Sequence, residues 1–387
     1  MRFEFATAAR IVFGSGSCSN LPALTREWGT RALIVTGQNE SRCAATIAAM
    51  KAAGIETAVF SVAGEPTVDA VRRGAQTARE VSDVVIGFGG GSAIDAAKAI
   101  AALATNPGDP LDYLEVIGQG KPLDRAPLPF LAVPTTSGTG SEVTRNAVLG
   151  SAEHGVKASL RSPLMLAKVA LVDSELTFDL PPAITATTGL DALTQLIEPF
   201  VSIRANAMTD LFCTEGMRLV RESLQVAYRD GQNRTAREAM AYASLLGGLS
   251  LANAGLGVVH GFAAPIGGQF DAPHGAVCAA VLPHGMAMNI RALRQRDPDG
   301  EGLRRYHAVA RILTGNPQAE AEEGAAWAAA LCRRLEVPAL RTYGIREEHI
   351  ANLAAKAAKA SSMKANPLPL TAAELSEVAY AALEHAR

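Results

Sequence analysis

A chain of 387 residues is too long for one compact core and implies two domains. A hydrophobic fraction of 48% with 19% charged residues is ordinary for a soluble globular protein, and a formal charge of −2 provides no basic field for nucleic acid or an anionic membrane. The five cysteines, Cys18, Cys43, Cys213, Cys278 and Cys332, form no Cys-x-x-Cys pair and fit reduced thiols in a cytosol.

The N-terminus mixes charges early, and Arg10 interrupts the apolar run that a signal peptide needs, so a cytoplasmic protein is expected. Residues 10–13 then read as a short strand before Gly14 and Gly16, and 31–36 as a buried strand. An alanine-rich helix is predicted over 43–53, stopped by Gly54. Strand 57–62, amphipathic helix 68–81, apolar strand 84–88 and helix 92–104 follow, then strands at 128–133 and 168–173. Continuous apolar strands separated by helices imply a parallel sheet covered on both faces.

After Leu180-Pro181-Pro182 the pattern becomes helical, with candidates at 191–201, 207–220, 233–253, 306–313, 319–335 and 372–385. The boundary is placed near 180, giving an α/β domain over 1–180 and an all-α domain over 181–387. The uncharged run 244–270 is long enough to span a bilayer. Its Ser250, Asn253, His260, Pro265, Gln269 and repeated glycines favour a buried, close-packed helical region instead.

Two loops point to a nucleotide. Gly89-Gly90-Gly91-Ser92 follows a strand and opens a helix, where free N–H groups and the helix dipole suit a pyrophosphate. Pro134-Thr135-Thr136-Ser137-Gly138-Thr139-Gly140-Ser141 also follows an apolar strand, and its hydroxyls suit a ribose, phosphate or nicotinamide amide. Each loop taken alone also reads as a plain turn.

In the second half, Asp191 and Gln195 are one helical turn apart, and His260 and His274 lie downstream. A carboxylate, an amide and two imidazoles can close around a cation of the Zn or Fe(II) type. As isolated residues, a lone Asp at a helix start is more often a cap, and a lone His more often a hydrogen-bonded core or surface residue.

Together these pieces resemble the iron-containing (group III) alcohol dehydrogenases, within the dehydroquinate-synthase-like superfamily. The resemblance rests on Gly89 to Ser92 with Asp95 and Lys98, the loop Pro134 to Thr144, Asp173-Ser174-Glu175-Leu176, Gly189-Leu190-Asp191-Ala192-Leu193-Thr194, Pro273-His274-Gly275, Leu282-Pro283 and Asn366-Pro367. It implies a dinucleotide-binding α/β domain and a helical domain with metal and substrate in the cleft between them. By position, it implies Asp191, Gln195, His260 and His274 as metal ligands, with Asp191, His260 and His274 as the catalytic set. It implies cofactor contacts from Gly89, Gly90, Gly91, Ser92, Asp95, Thr135, Thr136, Ser141, Val143 and Lys157. The expected reaction is reversible hydride transfer between a nicotinamide and a small alcohol or aldehyde, aided by a Lewis-acidic Fe(II) or Zn ion. The expected assembly is a homodimer or larger homo-oligomer, with no nucleic-acid or membrane partner.

Three departures stand out. Gln195 replaces the usual second histidine, and Ala264 occupies the place of a further histidine found in many relatives. Gly37 replaces the acidic residue after the early strand, which removes a repulsion toward a 2′-phosphate. Ser41 and Arg42 can supply a hydroxyl and a guanidinium there, so NADP is expected to be accepted and preferred over NAD; Glu40 pulls the other way. The Gln195 change keeps a metal-independent, maleylacetate-reductase-like enzyme as an alternative. A dehydroquinate-synthase-like cyclase is disfavoured, because residues 258–269 carry no Lys or Arg. A non-enzymatic relic is disfavoured by the retained Asp191, His260 and His274.

Overall fold

The computed structural model describes residues 2–151, 153–154 and 156–384. Two compact units are present. One holds Phe5–Thr136 and Gly140–Phe178; the other holds Ser137–Thr139, the residues from Asp179 onward and the N-terminal residues to Glu4.

The first unit runs β1 (Ile11–Phe13), α1 (Leu21–Arg26), β2 (Arg31–Gly37), α2 (Ala44–Ala52), β3 (Glu56–Val62), α3 (Val68–Val81), β4 (Val84–Gly89), α4 (Gly91–Thr105), α5 (Pro110–Tyr113), β5 (Phe130–Pro134), β6 (Asn146–Ser151), β7 (Val156–Arg161) and β8 (Val169–Val172). Six strands pair in parallel in the order β1-β8-β5-β4-β2-β3. Alternation of side chains divides the core. Ala32, Ile34, Val84, Ile86, Leu131, Val133, Val169 and Leu171 pack with Leu21 and Leu24 of α1 and Met50 of α2. On β4 the intervening Gly87 faces α4, where an added Cβ would lie 3.0 Å from Ala97 Cβ and 3.1 Å from Ile94 Cα. The central strands β2, β4, β5 and β8 are therefore buried on both faces, as their unbroken apolar runs require.

The chain steps from β2 outward to β3, then returns to the far side of β2 to form β4. The carboxyl ends of β2 and β4 therefore flank a topological switch point, the usual ligand crevice of an open α/β sheet. Gly37 ends β2 and Gly89 ends β4, and a Cβ on Gly89 would sit 3.8 Å from Gly37 N.

The antiparallel hairpin β6–β7 has no counterpart among the sequence-derived strands. Its buried positions alternate as Ala147, Leu149 and Ser151 on β6 and Ala158 and Leu160 on β7, and the small residues among them blur the period-two signal.

The second unit contains α6 (Pro182–Val201), α7 (Ala207–Arg229), α8 (Arg234–Ala254), α9 (Val258–Gln269), α10 (His274–Arg296), α11 (Glu301–Thr314), α12 (Ala321–Arg334), α13 (Glu347–Lys359) and α14 (Ala372–Ala381), and no strand among the described residues. Of the predicted helix 372–385, His385 lies outside the described residues. Helix α6 starts at Pro182, nine positions before the predicted start at 191, so Asp191 is not a cap. Pro182 is well suited to the first helical position, whereas the threonine-rich turn Thr185 to Thr188 carries no apolar period to advertise a helix. Gly216 on α7 lets that helix approach α6: a Cβ there would lie 2.4 Å from Leu196 Cδ2.

Helices α8 and α9 meet at a 97° bend. Gly255 makes the turn with φ of 77°, a left-handed conformation that glycine adopts without a Cβ penalty. Helix α10 is long and apolar enough to cross a membrane, but 78% of its apolar window is buried within the protein.

Candidate metal and cofactor sites

Helix α6 presents Asp191, Gln195 and Glu198 at spacings of four and three residues, hence on one face. Helix α9 carries His260 as its third residue, and α10 begins with His274 and carries Cys278 one turn later. These elements bring one atom each from Asp191, His260, His274 and Cys278 within 4.8 Å of one another. His260 Nε2 lies 3.4 Å and His274 Nε2 3.8 Å from Asp191 Oδ1. The thiol sulfur of Cys278 is 3.6 Å from His274 Nε2 and 3.9 Å from His260 Nε2. Asp191 is 1% exposed, His260 7% and Cys278 0%, while the His274 side chain is 36% exposed and forms the open edge.

The set fits a divalent cation. Asp191 Oδ1 and Gln195 Oε1 are buried without a hydrogen-bond partner, a costly state for polar atoms unless another electrophile serves them. Burial opposes charge on Asp191, yet His274 and His260 hold its carboxyl below the usual range. Cys278, against burial and together with Asp191, pushes the His274 imidazole up to about 9. Despite its desolvation, His260 is likewise raised, by Cys278, Asp191 and Glu198. The cluster therefore attracts positive charge.

Glu198 fixes the orientation of His260. Its Oε2 accepts from His260 Nδ1 at 2.7 Å, which leaves Nε2 for the cluster. Its Oε1 accepts from Val259 N at 2.6 Å, and Asn366 Oδ1 accepts from Val258 N at 3.1 Å. The first N–H groups of α9, orphans in any helix, are thus satisfied by two side chains from elsewhere in the unit. Gly257 makes room for both acceptors: a Cβ there would lie 2.8 Å from Asn366 Oδ1 and 3.0 Å from Glu198 Oε1. Neither Glu198 nor Cys278 was singled out from the sequence. Each had a helical signal, seven residues after Asp191 and four after His274.

The expected cofactor residues divide into two groups. Gly89, Gly90, Gly91, Ser92, Thr135 and Thr136 lie at the carboxyl ends of β4 and β5, and Thr136 Cγ2 is 3.4 Å from where a Gly90 Cβ would be. Gly90 precedes α4 without any side-chain cap, so backbone N–H groups line that end. Asp95 and Ser141 instead hold each other: Ser141 Oγ donates to Asp95 Oδ1, and Asp95 Oδ2 accepts from Val148 N at 2.9 Å. The buried Lys98 ammonium donates to Ser141 O at 2.9 Å, Thr144 Oγ1 at 3.0 Å and Asn146 O at 2.7 Å. These bonds pin the loop to α4. The Val143 side chain is fully buried, and Lys157 Nζ is 3.2 Å from Glu65 Oε1. Beyond β2, a Cβ on Gly37 would meet nothing within 4 Å. Ser41 donates to Asn39 Oδ1, Arg42 Nη2 donates to Leu176 O at 2.9 Å, and Ser61 donates to Glu40.

Glu142, 2% exposed in this loop, has its carboxyl pushed up to about 7 by burial. A carboxyl raised on folding stabilises the protein fully below its unfolded value near 4.5, and that contribution is lost as pH rises through 7. Glu142→Gln is therefore expected to flatten the pH dependence of unfolding between pH 5 and 8, removing a decline of roughly 2 kcal/mol. Urea titrations of both proteins at several pH values measure this; parallel curves would show that Glu142 does not carry it.

Residues 8–174 match the iron-containing alcohol dehydrogenase family, and 185–383 match the C-terminal domain of the Fe-containing alcohol dehydrogenase family. The chain is 36% identical over 335 residues to alcohol dehydrogenase 4 of Saccharomyces cerevisiae, covering 86% of this chain and 85% of that protein. The crystal structure of a 1,3-propanediol oxidoreductase superposes with a TM-score of 0.90 at 33% identity, covering 99% of this chain and 100% of that one. A sulfoacetaldehyde reductase from Bifidobacterium kashiwanohense, solved in complex with NAD+, superposes with a TM-score of 0.86 at 28% identity, covering 99% of each chain. With its fold and its sequence matched along nearly the whole length, the chain belongs to the iron-containing alcohol dehydrogenase family, and is a metal-dependent oxidoreductase of alcohols and aldehydes.

Proposed function

We propose that the protein interconverts a small alcohol and its aldehyde with NADP(H), using Fe(II) or Zn held by Asp191, Gln195, His260 and His274. The observation that carries this reading is the buried cluster of Asp191, His260, His274 and Cys278, in which Asp191 Oδ1 has no hydrogen-bond partner, with the unpaired Gln195 Oε1 one helical turn along from Asp191. A divalent cation there supplies Lewis acidity toward the substrate oxygen. Asp191 provides formal charge compensation from the middle of a rigid helix. His260, tied through Nδ1 to Glu198, presents a fixed Nε2, and the part-exposed His274 forms the edge nearest solvent.

A nicotinamide cofactor is supported by the switch-point loops and by the relative solved with NAD+. The preference for the 2′-phosphorylated form rests on the open space at Gly37, with Ser41 and Arg42 nearby on the chain. Gly37→Asp is expected to shift preference toward NAD(H), and Arg42→Ala to weaken NADP(H) by roughly 1.5–3 kcal/mol through a lost charged hydrogen bond. Comparing kcat/KM for the two cofactors decides it; a strong preference of the parent enzyme for NADH would overturn this loop reading. A cytoplasmic homodimer or larger assembly remains the proposed setting. The maleylacetate-reductase-like and cyclase alternatives draw no support from the relatives. The reading as a whole is tested by assaying NADPH and NADH oxidation with a panel of aldehydes, before and after chelation and after re-addition of Fe(II) or Zn. Full activity in metal-free protein would overturn it.

A further inference from the structure

Cys278 is not among the ligands assigned above, yet its buried sulfur lies 3.6 Å and 3.9 Å from two imidazole nitrogens. We propose that its thiolate is a further ligand of the cation, adding one sulfur to the carboxylate, the two imidazoles and the weaker amide oxygen of Gln195. This rests on the reading that the cluster holds an ion.

The argument is geometric. With bond lengths of about 2.3 Å to sulfur and about 2.0–2.2 Å to nitrogen and oxygen, neighbouring donors of a tetrahedral site stand roughly 3.4–3.6 Å apart. The separations here are 3.4 Å and 3.8 Å from Asp191 Oδ1 to the two imidazole nitrogens, and 3.6 Å and 3.9 Å from those nitrogens to the Cys278 sulfur. Each is within a few tenths of an ångström of the expected edge. The sulfur is placed by the same helix that places His274, one turn further along, so the two approach from one face. A neutral thiol there could donate to one imidazole nitrogen at a time and would leave the other facing sulfur. A coordinated thiol is deprotonated, with its proton released to solvent, and serves the cation directly.

The chemical consequence concerns Gln195. An amide oxygen is a weaker donor than imidazole for Zn or Fe(II), and a thiolate restores the donor strength and adds softness. The set therefore favours Zn over a harder ion more than an all-nitrogen-and-oxygen set would.

Cobalt(II) is the probe, because a cysteine ligand gives a sulfur-to-cobalt charge-transfer band in the near ultraviolet. Wild-type protein, stripped and reloaded with Co(II), is expected to show that band. Gln195→Ala should keep it. Cys278→Ser should lose it while still binding cobalt, and its Zn affinity should fall by at least about tenfold, judged by competition with a chelating dye. Cys278→Ala is the second variant, and unfolding curves of both report whether the fold survives. If wild-type protein binds cobalt without the band, or the band persists in either Cys278 variant, Cys278 is not a ligand while the ion site stands. If wild-type protein binds neither cobalt nor zinc, the ion site itself is wrong, and this proposal falls with it.

Discussion

His260→Ala is expected to abolish tight metal binding and to lower kcat by at least about a thousandfold, or about 4 kcal/mol of transition-state stabilisation. His260 is the member of the cluster with the most connections. Its Nε2 is 3.4 Å from Asp191 Oδ1 and 3.9 Å from the Cys278 sulfur, and its Nδ1 is bound to Glu198. Removing the ring takes one donor from the cation and strips a counter-group from a carboxylate that is 1% exposed. It also leaves Glu198 Oε2 without its imidazole partner, at a cost to stability of about 1–3 kcal/mol. The helical unit should survive this, since its core is spread over α6 to α14, nine helices among the described residues. The measurements are metal content by elemental analysis, steady-state turnover and a thermal unfolding curve. A metal-free His260→Ala protein with full turnover would end the metal-dependent mechanism. An unfolded variant would transfer the test to His274→Ala, whose side chain is more exposed and whose loss should disturb packing less.

What could be read from the sequence differed between the two units for physical reasons. The parallel strands are continuous apolar runs bounded by glycine, and those at 31–37 and 84–89 were visible because a sheet buried on both faces leaves no polar alternation to decode. Hairpin β6–β7 escaped because Ala147, Ser151 and Ala158 occupy buried positions where larger apolar residues would mark a strand. Helix α10 escaped because Pro283 and two glycines, Gly275 and Gly285, suggest breaks that burial in a helical core overrides. The candidate metal cluster was legible through His260 and His274, since histidines in uncharged surroundings stand out. Cys278 did not stand out, because a buried cysteine ordinarily behaves as a small apolar residue and only its position beside two imidazole nitrogens marks it otherwise. Glu198 was hidden differently. It lies on the same face as Asp191, but its partners, His260 and the start of α9, are about sixty residues away in sequence, and only the fold makes them neighbours.

That remoteness makes Glu198 the more informative position to change. Glu198→Gln keeps the shape and one acceptor oxygen but removes the charge that holds His260 Nδ1 and raises the imidazole. A carboxylate behind a metal-binding histidine fixes its tautomer and strengthens its donation, and losing such a partner typically costs ten- to a hundredfold in metal affinity or activity. The expected result is therefore a loss of about 1.4–2.7 kcal/mol in metal binding with little change in unfolding. Glu198→Ala should cost as much in affinity and more in stability, because Val259 N then loses its acceptor at the start of α9. Competition titrations against a chelator give the affinities, and urea unfolding gives the stabilities. Unchanged affinity in both variants would show that Glu198 only caps the helix. A deficit in Glu198→Gln that excess metal fully restores would show that it acts through His260 on the cation and not on the reacting substrate.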